Sequence, residues 1–151
     1  MSPKSPPRRP LKSTQSVPFT RGTPPKSGRL ARGSQLLVVD PNEMTRRLVM
    51  DHYDAQGWHV RDAATTREAI DLALEQQPDV MIVEFNMPNV DPRHLFRTLR
   101  SSVEHDVVIV GLATPSPSLL EQVRHASADA VLSKPIDLAA IDSIVSGTKL
   151  R

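Results

Sequence analysis

Three charged side chains follow short apolar runs of the sequence and are candidates for one polar site. The run at 36–39 is followed by Asp40, the run at 80–83 by Glu84, and Lys134 comes two residues after the run at 130–132. Carboxylates supply the oxygen ligands that a divalent cation prefers, and a lysine beside them forms ion pairs. Either arrangement requires the three runs to end at the same edge of the fold.

Apolar runs that read as strands alternate with segments of helical periodicity between residues 35 and 145. We expect strands at 36–39, 58–63, 80–84, 107–110 and 130–132. We expect helices at 43–56, from 65 up to Pro78, at 92–101 and 118–126, and from a cap at Asp137 to 145. Five β-α units predict an α/β fold with a doubly wound, five-stranded parallel sheet of order 2-1-3-4-5.

Ligand sites in doubly wound sheets lie at the carboxyl ends of the strands. The predicted topology therefore places Asp40, Glu84, a turn at 112–114 and Lys134 around one crevice. The histidines of the chain are scattered, with no pair at helical spacing, and surface positions explain them better than metal binding does.

Capping residues mark the starts of three predicted helices. Asn42 is expected to cap the first helix, and Thr65 opens the second with a capping box. Ser118, followed three residues later by a glutamate, predicts a second capping box. On the first helix, an apolar stripe facing the core is expected from Met44, Leu48 and Val49.

Charge divides the chain into a basic arm and an acidic domain. Residues 1–33 hold eight basic residues, no acidic residue and seven of the 14 prolines. Residues 34–151 hold 11 basic and 17 acidic residues, a net charge of −6. We expect a disordered Pro/Ser-rich arm at 1–33, one folded domain at 34–147 with no attached output domain, and a short tail at 148–151.

The composition excludes several classes of protein. The chain has no cysteine, which excludes disulfides and thiolate metal sites. No apolar run approaches the roughly 20 residues that span a bilayer, and no secretory signal follows the basic start. We therefore expect a cytoplasmic protein without a transmembrane segment.

Residues 35–145 resemble the receiver domain of bacterial two-component response regulators. The matching stretches are residues 37–40 with Arg46 and Leu48; Gly57, Val60 and Ala63; residues 68–69 and 78–80; residues 87–91; and residues 126–135, which end in Lys134-Pro135. The likeness covers the folded part in the correct order and spacing. It implies the flavodoxin-like receiver fold and a place in phosphorelay signal transduction.

Family receivers accept a phosphoryl group from a phosphohistidine on an aspartate at the end of the third strand, with the help of Mg²⁺. The resemblance implies that Asp40 retains the first acid of an acidic pair and that Pro41 replaces the second, metal-binding acid. Glu84 stands at the phosphoacceptor position, and Lys134 is the retained lysine. A prolyl ring offers no oxygen ligand, and the extra methylene of glutamate displaces its carboxylate by roughly a bond length.

The switch positions of the family are altered as well. The hydroxyl that contacts the phosphoryl group falls on Ala113, or on Leu112 if the alignment slips by one residue, with Thr114 next to it. The aromatic switch position is Val131. We therefore expect a degenerate pseudo-receiver that is not an enzyme, has no catalytic residue and no cofactor, and binds Mg²⁺ weakly or not at all.

Two interpretations of Glu84 remain open at this point. Its longer side chain could pair with Lys134 in place of a phosphoryl group and hold the domain in one signalling state. Alternatively, Glu84 is a solvated acid left at a decayed site.

The expected function is a stand-alone signalling adaptor or regulator that acts through protein–protein contacts, independently of phosphorylation. One alternative is a phosphoryl-accepting response regulator with non-standard site chemistry, and another is a nucleic-acid-associated factor. The partner would be a histidine kinase, a phosphotransfer protein or another regulator. The resemblance implies that the face at 116–146 mediates either formation of a homodimer or binding of a target protein. Residues 1–33 are a linker, a recognition peptide, or a segment that binds nucleic acid or an anionic surface.

Overall fold

A computed structural model of the chain describes residues 33–147. In chain order, the elements are β1 (Gln35–Val39), α1 (Glu43–Asp54), β2 (His59–Ala63), α2 (Thr66–Gln76), β3 (Val80–Glu84), α3 (Pro92–Ser101), β4 (Val108–Ala113), α4 (Leu119–Arg124), β5 (Ala130–Ser133) and α5 (Leu138–Gly147). The predicted arm, apart from Gly33, and the predicted tail at 148–151 lie outside the described residues. Every helix among the described residues is too short to span a bilayer.

The five strands form one parallel sheet of order β2-β1-β3-β4-β5, which confirms the predicted topology. β3 is buried along its whole length and β4 likewise, because helices cover both faces of the sheet and the apolar runs have no polar side. The edge strand β2 instead alternates between exposed and partly buried side chains up to the buried Ala63. The carboxyl ends of β1, β3 and β5 thus meet at the same edge of the sheet.

Each face of the sheet carries its own hydrophobic cluster. Leu37, Val39, Met81 and Val83 belong to the cluster that includes α2 and α3. Leu36, Val38 and Ile82 belong to the cluster that includes α1 and α5. Successive strand residues point to opposite faces, so the same apolar run serves both clusters.

Three of the predicted N-caps are confirmed, and one of them is Asp137, whose Oδ1 accepts from the N–H of Ala140 at 3.2 Å. The side-chain oxygen of Asn42 accepts hydrogen bonds from the backbone N–H groups of Met44 and Thr45, at 2.9 and 3.4 Å. Thr65 Oγ1 accepts from the N–H of Glu68 at 3.1 Å. The Glu68 carboxylate reaches back to the N–H of residue 64 rather than to that of the cap itself. These bonds satisfy amide groups that have no partner within the helix.

The predicted apolar stripe of α1 is wrong in part. Met44 is 78% exposed and Leu48 45% exposed, whereas Val49 and Tyr53 are buried. Val49 and Tyr53 lie four residues apart and so share one helical face. Met44 precedes Val49 by five residues, which rotates it by about 140° away from that face. The helix therefore presents Met44 and Leu48 to solvent.

The capping box predicted at Ser118 is also wrong. Ser118 has φ −95° and ψ 3° and makes no side-chain capping bond to α4. Its Oγ lies 3.3 Å from the side-chain amide of Gln122 instead. A capping side chain needs an extended backbone to reach the first turn, and Ser118 lacks that conformation.

Several element boundaries differ from the predicted ones by one to three residues, and two of these differences lie near the site or at a glycine turn. β4 continues to Ala113 because it pairs with β5 as far as Ser133, so residues 112 and 113 form a strand rather than a turn. α1 ends at Asp54, two residues earlier than predicted. Gly57 closes the following turn with φ +94° and donates its N–H to the Asp54 carbonyl at 3.0 Å. Glycine adopts such a positive φ without steric cost.

Candidate functional site

Asp40, Glu84 and Lys134 meet at the carboxyl edge of the sheet and form an ion-pair triad. Asp40 directly follows β1, Glu84 is the last residue of β3, and Lys134 directly follows β5. Lys134 Nζ lies 2.6 Å from Glu84 Oε1 and 3.0 Å from Asp40 Oδ2. The Lys134 backbone N–H is held by the Ala113 carbonyl at 2.8 Å. β4 lies between β3 and β5 in the sheet, so the carboxyl ends of β3 and β5 are not neighbours. The long side chain of Lys134 reaches from the end of β5 to the end of β3.

The remaining carboxylate oxygens of the triad are bound by backbone amides. Asp40 Oδ1 accepts from the N–H of Asn42 at 2.8 Å, and Glu84 Oε2 accepts from the N–H of Asn86 at 3.0 Å. Asp40 is 1% exposed and Glu84 8% exposed. Each carboxylate is therefore buried, hydrogen-bonded through both oxygens and paired with the same ammonium group. Glu84 is not a solvated side chain.

The carboxylates determine the charge state of Lys134. Burial is the largest single influence and lowers the pKa of Lys134. Hydrogen bonds to Glu84 and Asp40, together with their Coulombic attraction, outweigh burial, so the pKa of Lys134 is raised above its ordinary value. The ammonium group of Lys134 is therefore charged at neutral pH.

Arg46 of α1 supports the loop that carries Asp40 and Pro41. Its Nη1 donates to the Asp40 carbonyl at 2.9 Å and to the Pro41 carbonyl at 3.3 Å. Its Nε forms an ion pair with Asp62 of β2 at 2.7 Å. Arg46 and Asp62 are 16 residues apart, and no local pattern in the sequence signals their contact.

The donor set of the site does not fit Mg²⁺. This cation requires six oxygen ligands in near-octahedral geometry. The Pro41 ring supplies no oxygen, and the Pro41 carbonyl faces the Arg46 guanidinium. Asp40 and Glu84 are the two carboxylates of the triad, and their four oxygens already accept hydrogen bonds from N–H groups or ion-pair with Lys134. Within residues 33–147, no group of three His, Cys, Asp or Glu side chains could hold a metal ion.

The residues at the end of β4 divide between the two faces of the sheet. Ala113 packs in the same cluster as Val131, while Leu112 packs in the opposite cluster. Ala113 thus shares a face with Val131 and offers a methyl group rather than a hydroxyl. Thr114 follows the strand and is exposed. A further residue, Gly111, makes room for Val131: a Cβ at Gly111 would lie 3.3 Å from Val131 Cγ2.

A second polar cluster joins α1 to α5 and was not anticipated from the sequence. The buried Tyr53 hydroxyl donates to Asp142 Oδ1 at 2.7 Å, and His52 Nε2 lies 3.0 Å from Asp142 Oδ2. Burial raises the pKa of Tyr53 well above its usual range, and the Asp142 carboxylate raises it further. The partners lie about 90 residues apart in sequence, so only the fold brings them together.

The face predicted for partner binding contains a helix without buried residues and a partly buried edge strand. α4 has no buried residue, and the first three residues of β5 are only partly buried. Leu120 of α4 is 71% exposed. On the other side of the domain, α1 exposes Met44 and Leu48. Each surface combines large apolar side chains with polar neighbours.

Comparisons with known proteins agree with this geometry. The family model described as response regulator receiver domain matches residues 36–146. The polar-differentiation response regulator DivK of Brucella ovis is 29% identical over 105 residues, which is 68% of this chain and 85% of that protein. The solved structure of Vibrio cholerae chemotaxis protein CheY4, crystallised at low pH, aligns with a TM-score of 0.66 and 25% identity over 77% of this chain and 98% of that chain. A response regulator of Burkholderia pseudomallei, solved with a phosphorylated aspartic acid, a calcium ion and citrate, shares the fold. It aligns with a TM-score of 0.65 and 24% identity over 78% of this chain and 66% of that chain.

Proposed function

Since this chain belongs to the family of response regulator receiver domains, we propose that it is a pseudo-receiver that signals through protein–protein contacts independently of phosphorylation. It acts as an adaptor or regulator, not as an enzyme. Its partner is a histidine kinase, a phosphotransfer protein or another regulator. The domain adopts its signalling conformation without a phosphoryl group.

The 2.6 Å ion pair between Glu84 and Lys134 carries this proposal. In a receiver that accepts a phosphoryl group, the lysine pairs with the phosphoryl charge. Here the lysine is already engaged by the carboxylate that stands at the acceptor position. A phosphoryl group arriving at Glu84 would convert this buried carboxylate into an acyl phosphate and would have to displace its 2.6 Å contact with Lys134.

The metal-binding half of the site supports the same proposal. Transfer of a phosphoryl group to a carboxylate brings anionic oxygens together and needs a divalent cation to offset their repulsion. Pro41 provides no side-chain oxygen where the family resemblance expects a carboxylate. The Arg46 guanidinium, which is bonded to the Asp40 and Pro41 carbonyls, places a positive charge beside these two oxygens.

Exposed apolar side chains provide surfaces for the proposed contacts. Leu120 lies on the face at 116–146, which we propose as the partner or dimer surface. Interfaces of this kind are anchored by a few large apolar side chains surrounded by polar residues.

Beryllofluoride, a mimic of the phosphoryl group, tests the proposal directly. The full chain is titrated with beryllofluoride and Mg²⁺ while backbone amide resonances are recorded by NMR. We expect no saturable shifts at Asp40, Glu84 or Lys134, because the ion pair blocks the acceptor and the metal ligands do not suffice. Shifts clustered at these residues in the unchanged chain would overturn the proposal.

A matched variant shows that the assay can detect binding. The double substitution Pro41→Asp and Glu84→Asp restores the acidic pair and shortens the acceptor. We expect this variant to gain saturable shifts around residues 40, 84 and 134.

Partner affinity is then compared among the unchanged chain, Glu84→Gln and Glu84→Asp in pulldowns. Equal affinity in all three would disprove a role for the Glu84–Lys134 pair in signalling.

A further inference from the structure

A cleft at the β2 edge of the sheet lies apart from the ion-pair triad. Its volume is about 430 Å³, and its lining residues are Gln35, Asp54, Trp58, His59, Val60 and Arg61. Trp58 is half-buried, and its ring packs edge-on against the ring of Tyr53, with the centroids 5.5 Å apart. Trp58 is the single tryptophan of the chain. The cleft thus offers an aromatic surface and a carboxylate side by side.

The described part of the chain begins beside this cleft. Gly33 donates its N–H to the Gly57 carbonyl at 3.0 Å, directly beside Trp58 in the sequence. A Cβ on Gly33 would lie 3.8 Å from the ring of His59, a lining residue. Gly33, to which the arm is joined in sequence, therefore lies next to the cleft. The seven residues at 26–32 could span up to about 24 Å, which is enough to cross it.

The charges of the arm and the domain are complementary. Residues 1–32 carry eight basic side chains and no acidic one, while residues 33–147 carry nine basic and 17 acidic side chains. In the cleft, no lysine or arginine among residues 33–147 forms an ion pair with Asp54, which is exposed. Arg61 shares the cleft but faces Glu75 of α2 at 4.0 Å. Asp54 is thus available to a cation from the arm.

Basic residues recur at every third position of the sequence immediately before Gly33. They are Lys26, Arg29 and Arg32. An arginine guanidinium stacks on an indole face and pairs with a carboxylate at the same time, because its plane and its N–H groups address different partners. Trp58 and Asp54 line one cleft and present this combination.

We propose that residues 26–32 of the arm fold back into this cleft and bind Trp58 and Asp54 through their basic side chains. The contact is intramolecular, so the short tether supplies an effective concentration in the millimolar range, about 1 mM. The bound segment covers the start of the edge strand β2. While the segment is bound, its three basic side chains cannot contact an anionic partner of the arm. When the segment is released, these side chains become available for such a contact.

Fluorescence of Trp58 reports this contact without any label. Acrylamide quenching is measured on the full chain and on a full-chain variant that carries Lys26→Gln, Arg29→Gln and Arg32→Gln. A contact with a dissociation constant of roughly 1 mM is about half occupied at a millimolar effective concentration, so we expect quenching to rise about two-fold in the variant. In roughly 1 M salt, where the Debye length is about 3 Å, the difference should vanish.

Matched variants separate this proposal from general electrostatics. Replacing Lys4, Arg8 and Arg9 by Gln removes the same charge from the far end of the arm and should leave quenching unchanged. Asp54→Asn should raise quenching as much as the substitution of Lys26, Arg29 and Arg32 does. Combining Asp54→Asn with that triple substitution should produce no further rise. If the variant substituted at Lys26, Arg29 and Arg32 is quenched no more than the unchanged chain, the proposal is overturned. It is also overturned if the variant substituted at Lys4, Arg8 and Arg9 raises quenching by the same amount as the first variant. Protection that disappears on dilution would assign the contact to a second copy of the chain and also overturn it.

Discussion

Lys134→Met removes the cation of the triad and keeps an apolar stem of similar length. Lys134 makes two charge-assisted contacts, of 2.6 and 3.0 Å, each worth about 1.5–3 kcal/mol. Its side chain is 23% exposed, while the side chains of Glu84 and Asp40 are 10% and 2% exposed. Breaking a fully buried ion pair costs about 3–5 kcal/mol in the free energy of unfolding. Because Lys134 is partly exposed, we expect Lys134→Met to lose an amount at the lower end of this range, about 3 kcal/mol.

Urea unfolding followed by far-UV circular dichroism measures this loss at pH 7. With a slope of about 2 kcal/mol per molar urea, a loss of about 3 kcal/mol lowers the midpoint by about 1.5 M. In the unchanged chain, the raised pKa of Lys134 means that its stabilisation is complete below its ordinary pKa of 10.5. It is lost only as the pH rises through the higher, folded-state pKa.

An exposed ion pair provides the control for this prediction. Arg67 lies 3.4 Å from Asp71 on the surface of α2, with side chains 87% and 64% exposed. Arg67→Met should change the free energy of unfolding by less than about 0.5 kcal/mol. If Lys134→Met costs no more than Arg67→Met, the triad does not stabilise the domain and the reasoning above is refuted.

Three further substitutions test the packing, the α1–α5 cluster and a helix cap. Gly111→Ala should cost about 1–3 kcal/mol in urea unfolding, because its Cβ would lie 3.3 Å from the Phe96 ring and force a shift. Asp142→Asn should cost about 1–2 kcal/mol by weakening the acceptor of the buried Tyr53 hydroxyl. Because the pKa of Tyr53 is raised in the fold, stability should fall above pH ~10, where the unfolded phenol ionises and the folded one does not, and a pH series should show this fall. Asn42→Ala should cost about 1 kcal/mol in thermal unfolding, by loss of its two capping bonds.

Controls for these three predictions come from the same chain. A Cβ on Gly147 would meet no atom within 4 Å, so Gly147→Ala should not destabilise the domain. Ser118→Ala should likewise be nearly neutral, because Ser118 makes no capping bond. A large loss for either control, or none for Gly111→Ala and Asn42→Ala, would contradict the packing and capping arguments.

Local patterns predicted most of the fold, because each pattern depends on neighbouring residues. The apolar runs at β1, β3 and β4 correctly predicted strands that are buried on both faces. Asn42 and Thr65 correctly predicted helix starts, because a cap bonds residues only two or three positions away. The sheet order followed because right-handed crossovers restrict how β-α units can be arranged. Ser118 matched a capping pattern equally well, yet its backbone conformation ruled the cap out. A pattern of residue types does not encode that conformation.

The components of the site were also predictable, but their pairing was not. The topology placed Asp40, Glu84 and Lys134 at one edge, since parallel strands align their carboxyl ends. Arg46 was known only as a matching residue, and its bonds to the Asp40 carbonyl and to Asp62 depend on how α1 sits on the sheet.

The sequence by itself determined which charged residues occur at the ends of the strands, and that the arm is basic while the domain is acidic. These properties depend on residue type and order alone. Only the tertiary structure decided that Lys134 reaches across β4 to Glu84 and that Met44 faces solvent. Such outcomes depend on distances between elements remote in sequence and on the rotation of a helix about its axis, and short-range patterns constrain neither closely enough.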